Sequence, residues 1–470
     1  MTDSSTKVVA RNAIALSARM ILTTIVGLYT SRLVIDALGI ADYGIYSVVG
    51  SVISMAAFLN TSMAGATSRF IIVELECGNK DRLAAIFSTA MRMHLFLALF
   101  VVVLGETVGL WFINTQMNFP EGSTVAVNVL YQLSVASVVV SFTQIPYSAS
   151  IIAHERMGIY AKYEILNALL KLLLVILIVK SHSNRLILYG FTIFGLSLLS
   201  ALFFRAYCIR NFEETRLSNS RWNDSIFRQM LGFSGYNLIG NMCTALKSQG
   251  EPILLNLFFG VVANAAASIA ATVTGAIGGM TTTIAQAFRP HIMKQYASGN
   301  INGLQKAMQR AVMLTIGVLS VVAIPFFVEP DKILQLWLGQ TPPYAGVFLR
   351  FLIVCALFDV VIYTNTAALQ ATGNIRNLSF TTGLISAGCP LASWFVLKLG
   401  YPAWSLFAVN VIGLIFITII GWRLLSTQIK GFNMYRYALC CISILVTASL
   451  ILGISYFEYT RYLMPLLSTP

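Results

Sequence analysis

The chain has 470 residues, 57% of them hydrophobic and only 10% charged, with a mean hydropathy of +0.77. Soluble domains carry about 25% charged residues, so a soluble protein is excluded. A membrane barrel, with its alternating segments of about 10 residues, is excluded as well. The formal charge of +13 does not point to nucleic acid, because the positive residues sit in short loops between apolar runs.

The opening stretch, MTDSSTKVVARNAIALSARM, is too polar for a cleaved signal peptide, and the apolar run after it is too long. Runs of about 20 apolar residues, the span of the hydrocarbon core, follow one another from there. They predict helices over 13–36, 42–66, 84–113, 123–152, 160–180 and 186–208 in the first half. The second half gives 231–258, 261–287, 308–328, 346–372, 377–398 and 402–425, with one more over 437–457. Pro146 and Pro252 are expected to kink the fourth and seventh spans, since proline removes a backbone donor. The cysteines are scattered in or beside apolar spans without a CxxC pair and read as small core residues.

Alternate gaps between spans are basic: Lys7 and Arg11; Arg69, Lys80 and Arg82; Arg156 and Lys162; Arg210 to Arg228; Arg289 to Arg310; Lys430 and Arg436. The opposite gaps hold few positives. By the positive-inside rule the N-terminus is cytoplasmic.

One stretch occurs twice. Leu33–Leu83 is matched by Pro252–Leu304, so that Gly39 and Gly260 lie 221 positions apart, as do Gly78 and Gly299. Ser47, Ser51, Ser54, Phe58, Thr61, Gly65 and Ser68 form one helix face, and their counterparts are Ser268, Thr272, Gly275, Gly279, Thr282, Gln286 and Arg289. Small residues also gather where membrane helices touch, but two stripes in register favour a duplicated half. Six spans per half make the halves parallel repeats. The fold expected is therefore an all-α polytopic membrane protein of about 12–13 transmembrane helices in two six-helix bundles. The divisions are 1–209, a cytoplasmic linker over 210–230, a second bundle over 231–430, and an additional C-terminal helix and tail over 431–470.

Polar groups inside the spans are the candidate site. Span 7 aligns Ser234, Asn237, Asn241, Thr244, Ser248 and Glu251, with Lys247 one turn from Glu251. A charge at bilayer depth costs roughly 2.5–3.5 kcal/mol and needs a partner or a wet cavity. Lys247 and Glu251 either neutralise each other at i,i+4 or line a wet wall where Lys247 meets an anion. In span 1, Arg19, Thr23, Gly27 and Thr30 share a face, while Arg32 and Asp36 share another and have each other as an alternative partner. Arg19 has the inner headgroups as its alternative. Asp359, with Tyr363 and Asn365, is a candidate for cation or proton coupling, as is Glu251; His94 and Glu106 are weaker. No catalytic motif occurs, whether HExxH, P-loop, dinucleotide fingerprint or nucleophile elbow, and neither a metal nor a cofactor is called for.

Several motifs, taken in order, resemble bacterial polysaccharide flippases of the Wzx (O-antigen) type. These are Gly27-Leu-Tyr-Thr-Ser-Arg32, Leu38-Gly39-Ile-Ala-Asp42-Tyr43-Gly44-Ile-Tyr46, Ala66-Thr-Ser-Arg69-Phe70 with Gly78-Asn79, Ile145-Pro146-Tyr147, Ala153-His154-Glu155-Arg156-Met157 and Phe259-Gly260-Val-Val-Ala-Asn264-Ala265-Ala266. The resemblance implies the multidrug/oligosaccharidyl-lipid/polysaccharide exporter superfamily, with two six-helix bundles working by alternating access in the bacterial inner membrane. The implied cargo is an undecaprenyl-diphosphate-linked oligosaccharide, with membrane lipids, a polysaccharide polymerase and chain-length machinery as further partners. Arg19, Arg32, Asn237, Asn241 and Lys247 are the candidate substrate contacts, since Arg and Lys suit phosphate oxygens. A cation-coupled multidrug exporter is the alternative with the same fold. A polymerase or glycosyltransferase is disfavoured, because no long outer loop or soluble catalytic domain is present.

Overall fold

The computed structural model describes residues 3–154, 156–216, 223–372 and 376–458, with side chains described from residue 22 onward at most positions. All regular structure among the described residues is helical. Among the described residues ten segments are long and apolar enough to cross a membrane, so this is a multi-pass membrane protein.

Two helices are far longer than a bilayer is thick: α1, Asp3–Ser54, with 52 residues, and α8, Asp224–Ala297, with 74. A helix rises about 1.5 Å per residue against a core of about 30 Å, so neither can cross as one straight span. Each is interrupted at one glycine. Gly39 has φ 76° and ψ 172°, and Gly260 has φ 75° and ψ −171°. Side-chain-bearing residues rarely adopt positive φ, which is why glycine holds both bends. Pro252 lies within the helix, eight residues before the break at Gly260, which falls in the expected gap between spans 7 and 8. Likewise α5, Thr124–Ala153, runs through Pro146, whose carbonyl accepts the Ser150 hydroxyl at 3.1 Å.

The remaining elements are α2 (Ala57–Cys77), α3 (Lys80–Leu104), α4 (Leu110–Thr115), α6 (Met157–Val179) and α7 (Arg185–Asn211). After α8 come α9 (Ile301–Val328), α10 (Pro330–Leu338), α11 (Ala345–Ala371), α12 (Arg376–Lys398), α13 (Ser405–Gln428) and α14 (Met434–Glu458). The span expected as one helix over 42–66 is two pieces, the end of α1 and the start of α2. Met55 and Ala56 turn between them, with the Ala56 N–H on the Ile53 carbonyl at 3.1 Å. Ala56 and Leu59 pack there on Ala98, Val101 and Phe142.

The repeat seen in the residues is also a repeat of elements. Helices α3 and α9 begin at Lys80 and Ile301, and α5 and α11 at Thr124 and Ala345, in both cases at the spacing of Gly39 and Gly260. Gly78 and Gly299 both have positive φ, and the asparagine after each caps the next helix. Asn79 accepts from the Arg82 N–H at 3.0 Å and Asn300 from the Gly303 N–H at 2.9 Å; such a cap stabilises a helix by about 1 kcal/mol. Packing partners recur too. Helix α5 lies on α3 and α7 as α11 lies on α9 and α13, and α6 meets α7 as α12 meets α13. Helix α14 has no counterpart in the first half and packs on α9 and α13.

Contacts divide the chain into two compact units, Met1–Val261 and Val262–Pro470. In the first, Phe87, Tyr147, Ile151, Phe204, Cys208, Ile226 and Met230 form one buried cluster. The start of the linker belongs to it. Phe212 stacks on His154 with ring centroids 4.0 Å apart, Glu214 meets His154 Nε2 at 2.7 Å, and Glu213 meets Lys80 Nζ at 2.8 Å. The Lys80 ammonium holds the Glu213 carboxyl below the usual carboxylate range.

Candidate functional site

The first half of α8 has two opposed faces. Ile239 (54% exposed) and Met242 (37%) mark an apolar side suited to acyl chains. At about 100° per residue, Thr244, Ser248 and Glu251 fall on the other side, with Asn241 and Lys247 flanking them. Thr244 and Ser248 are exposed, and Lys247 and Glu251 half-buried. An apolar helix whose exposed back is hydroxyl-bearing has that back in water or against a polar ligand.

The hydroxyls on this face are already donating. Thr244 Oγ1 donates to the Gly240 carbonyl at 3.0 Å and Ser248 Oγ to the Ala245 carbonyl at 3.4 Å. Thr244 Oγ1 remains an acceptor for a sugar hydroxyl or water, whereas Ser248 Oγ already accepts the Gln249 amide at 3.2 Å and has one lone pair left. Asn241 Nδ2 donates to Ser62 Oγ at 3.0 Å, and that hydroxyl donates to the Phe58 carbonyl at 2.6 Å. Asn241 therefore ties α8 to α2 and has one amide oxygen to offer. Lys247 takes part in no ion pair among the described residues, so its neutralisation by Glu251 is not what the side chains adopt. A cation at this depth has a standing requirement for water or an anion.

Not every candidate joins this face. The side chains of Arg19 and Asn237 lie outside the described residues. On α1, Gly27 is exposed and Thr30 buried, its hydroxyl donating to the Val26 carbonyl at 2.7 Å. Arg32 and Asp36 follow the side of exposed Ile25 and Tyr29, away from Thr23, Gly27 and Thr30. In the second unit Asp359 is exposed midway along α11, whereas Asn365 is buried and accepts the Tyr437 hydroxyl of α14 at 3.1 Å. The expected grouping of Asp359 with Asn365 is thus divided between an exposed face and a packed one. His94 is buried, with Nε2 3.4 Å from Thr67 Oγ1.

Two features escaped the sequence reading. Gly105–Gly109 forms a π-turn between α3 and α4, where Gln132 Nε2 donates to Glu106 at 2.9 Å and the Tyr131 hydroxyl donates to the Gly105 carbonyl at 2.6 Å. The second is Asn256, fully buried and bonded to Asn118. Paired glycines flank the π-turn as a signal; for Asn256 the signal is a lone amide where the first copy has Ile35.

Residues 252–391 match the MatE family profile. Among solved structures, an inward-facing multidrug resistance MATE family transporter of the MOP superfamily is similar over 90% of this chain and 98% of its own, at 14% identity and a TM-score of 0.68. The lipid II flippase MurJ, in an inward closed conformation, is similar over 98% of this chain and 100% of its own, at 10% identity and a TM-score of 0.67. A MOP superfamily transporter from Pyrococcus furiosus, described as having a binding pocket of reverse polarity, covers 90% of this chain and 96% of its own, at 14% identity and a TM-score of 0.61. No curated protein sequence matches the chain significantly. At these identities the likeness establishes the fold, which is that of the MATE transporters and MurJ.

Proposed function

We propose that the chain is a flippase for a lipid-linked oligosaccharide, carrying an undecaprenyl-diphosphate glycan from the inner to the outer leaflet of a bacterial inner membrane by alternating access. The observation that carries this reading is Lys247, a cation in no ion pair among the described residues, on a hydroxyl-rich face of an otherwise apolar helix. A diphosphate cannot cross hydrocarbon unaided, because its charge is heavily penalised there. Lys247 would neutralise it, with Arg19 and Arg32 as further cations and Asn237 and Asn241 as hydrogen-bonding groups for the sugar. The polyprenyl chain stays in lipid. Glu251 and Asp359 are the groups proposed to couple a cation, whose differential affinity for the two states would bias which side is open. The lipid II flippase fold, matched along nearly the whole chain, supports a lipid-linked cargo.

A cation-coupled multidrug exporter is the second reading, favoured by the MatE match over 252–391. A pocket for cationic drugs calls for acidic groups, and Lys247 argues against it. Deletion of the gene separates the two. Loss of surface polysaccharide with unchanged drug sensitivity supports the flippase, and drug sensitivity with normal polysaccharide refutes it. Lys247→Ala at normal protein level is expected to lose polysaccharide export at least tenfold; export at the wild-type rate would remove Lys247 from the site.

A further inference from the structure

Asn256 is an anomaly in its own helix. It is 0% exposed, between Leu255 and Leu257, and the equivalent residue of the first copy, Ile35, is also 0% exposed. A buried amide is costly unless every polar atom is bonded. Asn256 meets that condition entirely through Asn118, in the loop after α4. Its Oδ1 accepts the Asn118 N–H at 2.9 Å, and its Nδ2 donates to the Asn118 carbonyl at 3.1 Å. Asn118 Nδ2 in turn donates to the carbonyls of Asn256 at 3.3 Å and Leu257 at 3.0 Å.

Beneath this clamp lies an apolar plug. Val48, Met117 and Ile253 are buried together, with Val52, Met55, Phe112, Phe119 and Leu257 packed on them. Beside it the backbones touch: a Cβ on Gly44 would fall 2.0 Å from the Val261 carbonyl oxygen. All these residues belong to the first unit. They join the second span and the loop after α4 to the end of the seventh span. Thr244, on the hydroxyl-rich face, lies 12 residues back from Asn256 in the same helix, a rise of about 18 Å.

We infer that the Asn118–Asn256 clamp is the outer gate latch of the transport cycle. The inference rests on the flippase reading for its cargo but not for its test. The two ends of the latch differ as a reversible seal requires. Asn118 is exposed and turns to water when the seal parts, so opening leaves no buried group unpaired there. Asn256 becomes hydrated as the plug separates. An aliphatic residue in its place would seal by area alone and in any register, whereas four hydrogen bonds close the seal in one register. Ile35 is that aliphatic residue in the copy that lacks a clamp.

The test uses the full-length chain in intact cells, carrying Asn118→Cys and Asn256→Cys with Thr244→Cys as reporter. The same chain without the reporter sets the background. The probe is a membrane-impermeant maleimide added outside. With the 118–256 disulfide formed, labelling of the reporter is expected to fall at least tenfold and to return on reduction. Equal labelling before and after reduction, at any level, overturns the latch, as does failure of the two cysteines to cross-link. Surface polysaccharide is scored in the same cells. A wild-type copy that exports none refutes the flippase reading, while the labelling ratio still decides the latch.

Discussion

The two copies of the repeat bend alike and seal differently. Gly39 and Gly260 hold the same backbone conformation, and Ser51 and Thr272 each return a hydroxyl to the carbonyl four residues back, Ser47 at 2.9 Å and Thr272's partner Ser268 at 2.8 Å. Yet the first copy breaks at Met55–Ala56, where the second runs unbroken to Ala297. The first copy has Val26 and Ile35 where the second has Lys247 and Asn256. The bends are what the fold requires of both halves; the cation and the clamped amide are additions to one half. Function is therefore to be sought where the copies disagree.

That comparison can be broken most severely at Gly44. Its counterpart, Ala265, is fully buried and already carries a Cβ, whereas one on Gly44 would meet the Val261 backbone. Gly44→Leu is expected to remove most folded protein, and Gly44→Ala to cost roughly 1–3 kcal/mol through overpacking. Ala265→Gly should cost only about 1 kcal/mol. Apparent unfolding midpoints in detergent check all three, and equal shifts for Gly44→Ala and Ala265→Gly would contradict the close approach. The shared bends come next. Gly39→Ala and Gly260→Ala should each cost roughly 1–2 kcal/mol, since both demand positive φ. A loss at only one of them would end the equivalence of the copies.

The caps supply a smaller effect. Asn79→Ala and Asn300→Ala should each lower stability by about 1 kcal/mol and by similar amounts. Smallest of all is Asn256→Ile, which copies Ile35 into the second half. The backbone N–H and carbonyl of Asn118 then turn to water while its amide keeps the two backbone carbonyls, so stability is expected to change by less than about 1 kcal/mol. A loss as large as that of Gly44→Ala would make the clamp a structural bond in place of a latch.

Most of this architecture was legible because a bilayer permits few solutions. Apolar runs located most of the helices, and the spacing of Gly39 and Gly260 revealed the repeat without revealing that each glycine holds a bend. Helix α6 was legible from its length, although Lys162, Glu164 and Lys171 leave it outside the ten apolar segments. What failed was local. The positive φ at Gly260 was not readable, because a glycine between two apolar runs has no period that marks a left-handed residue. The break at Met55–Ala56 lies among good helix formers and is set by packing on Ala98, Val101 and Phe142, which no periodicity reveals. Lys247 stood out as a charge in an apolar run. Asn256 did not, because its partner is 138 residues away and a single amide has no period.

The most direct measurement of the central claim is flipping in proteoliposomes, using lipid-linked oligosaccharide extracted from the host cells and reading its access to external periodate. Wild-type chain should exchange the lipid between leaflets, and Lys247→Ala, reconstituted at the same density, should do so at least tenfold more slowly. Wild-type vesicles that leave the lipid where it was inserted, or a Lys247→Ala protein that moves it at the wild-type rate, would contradict the account.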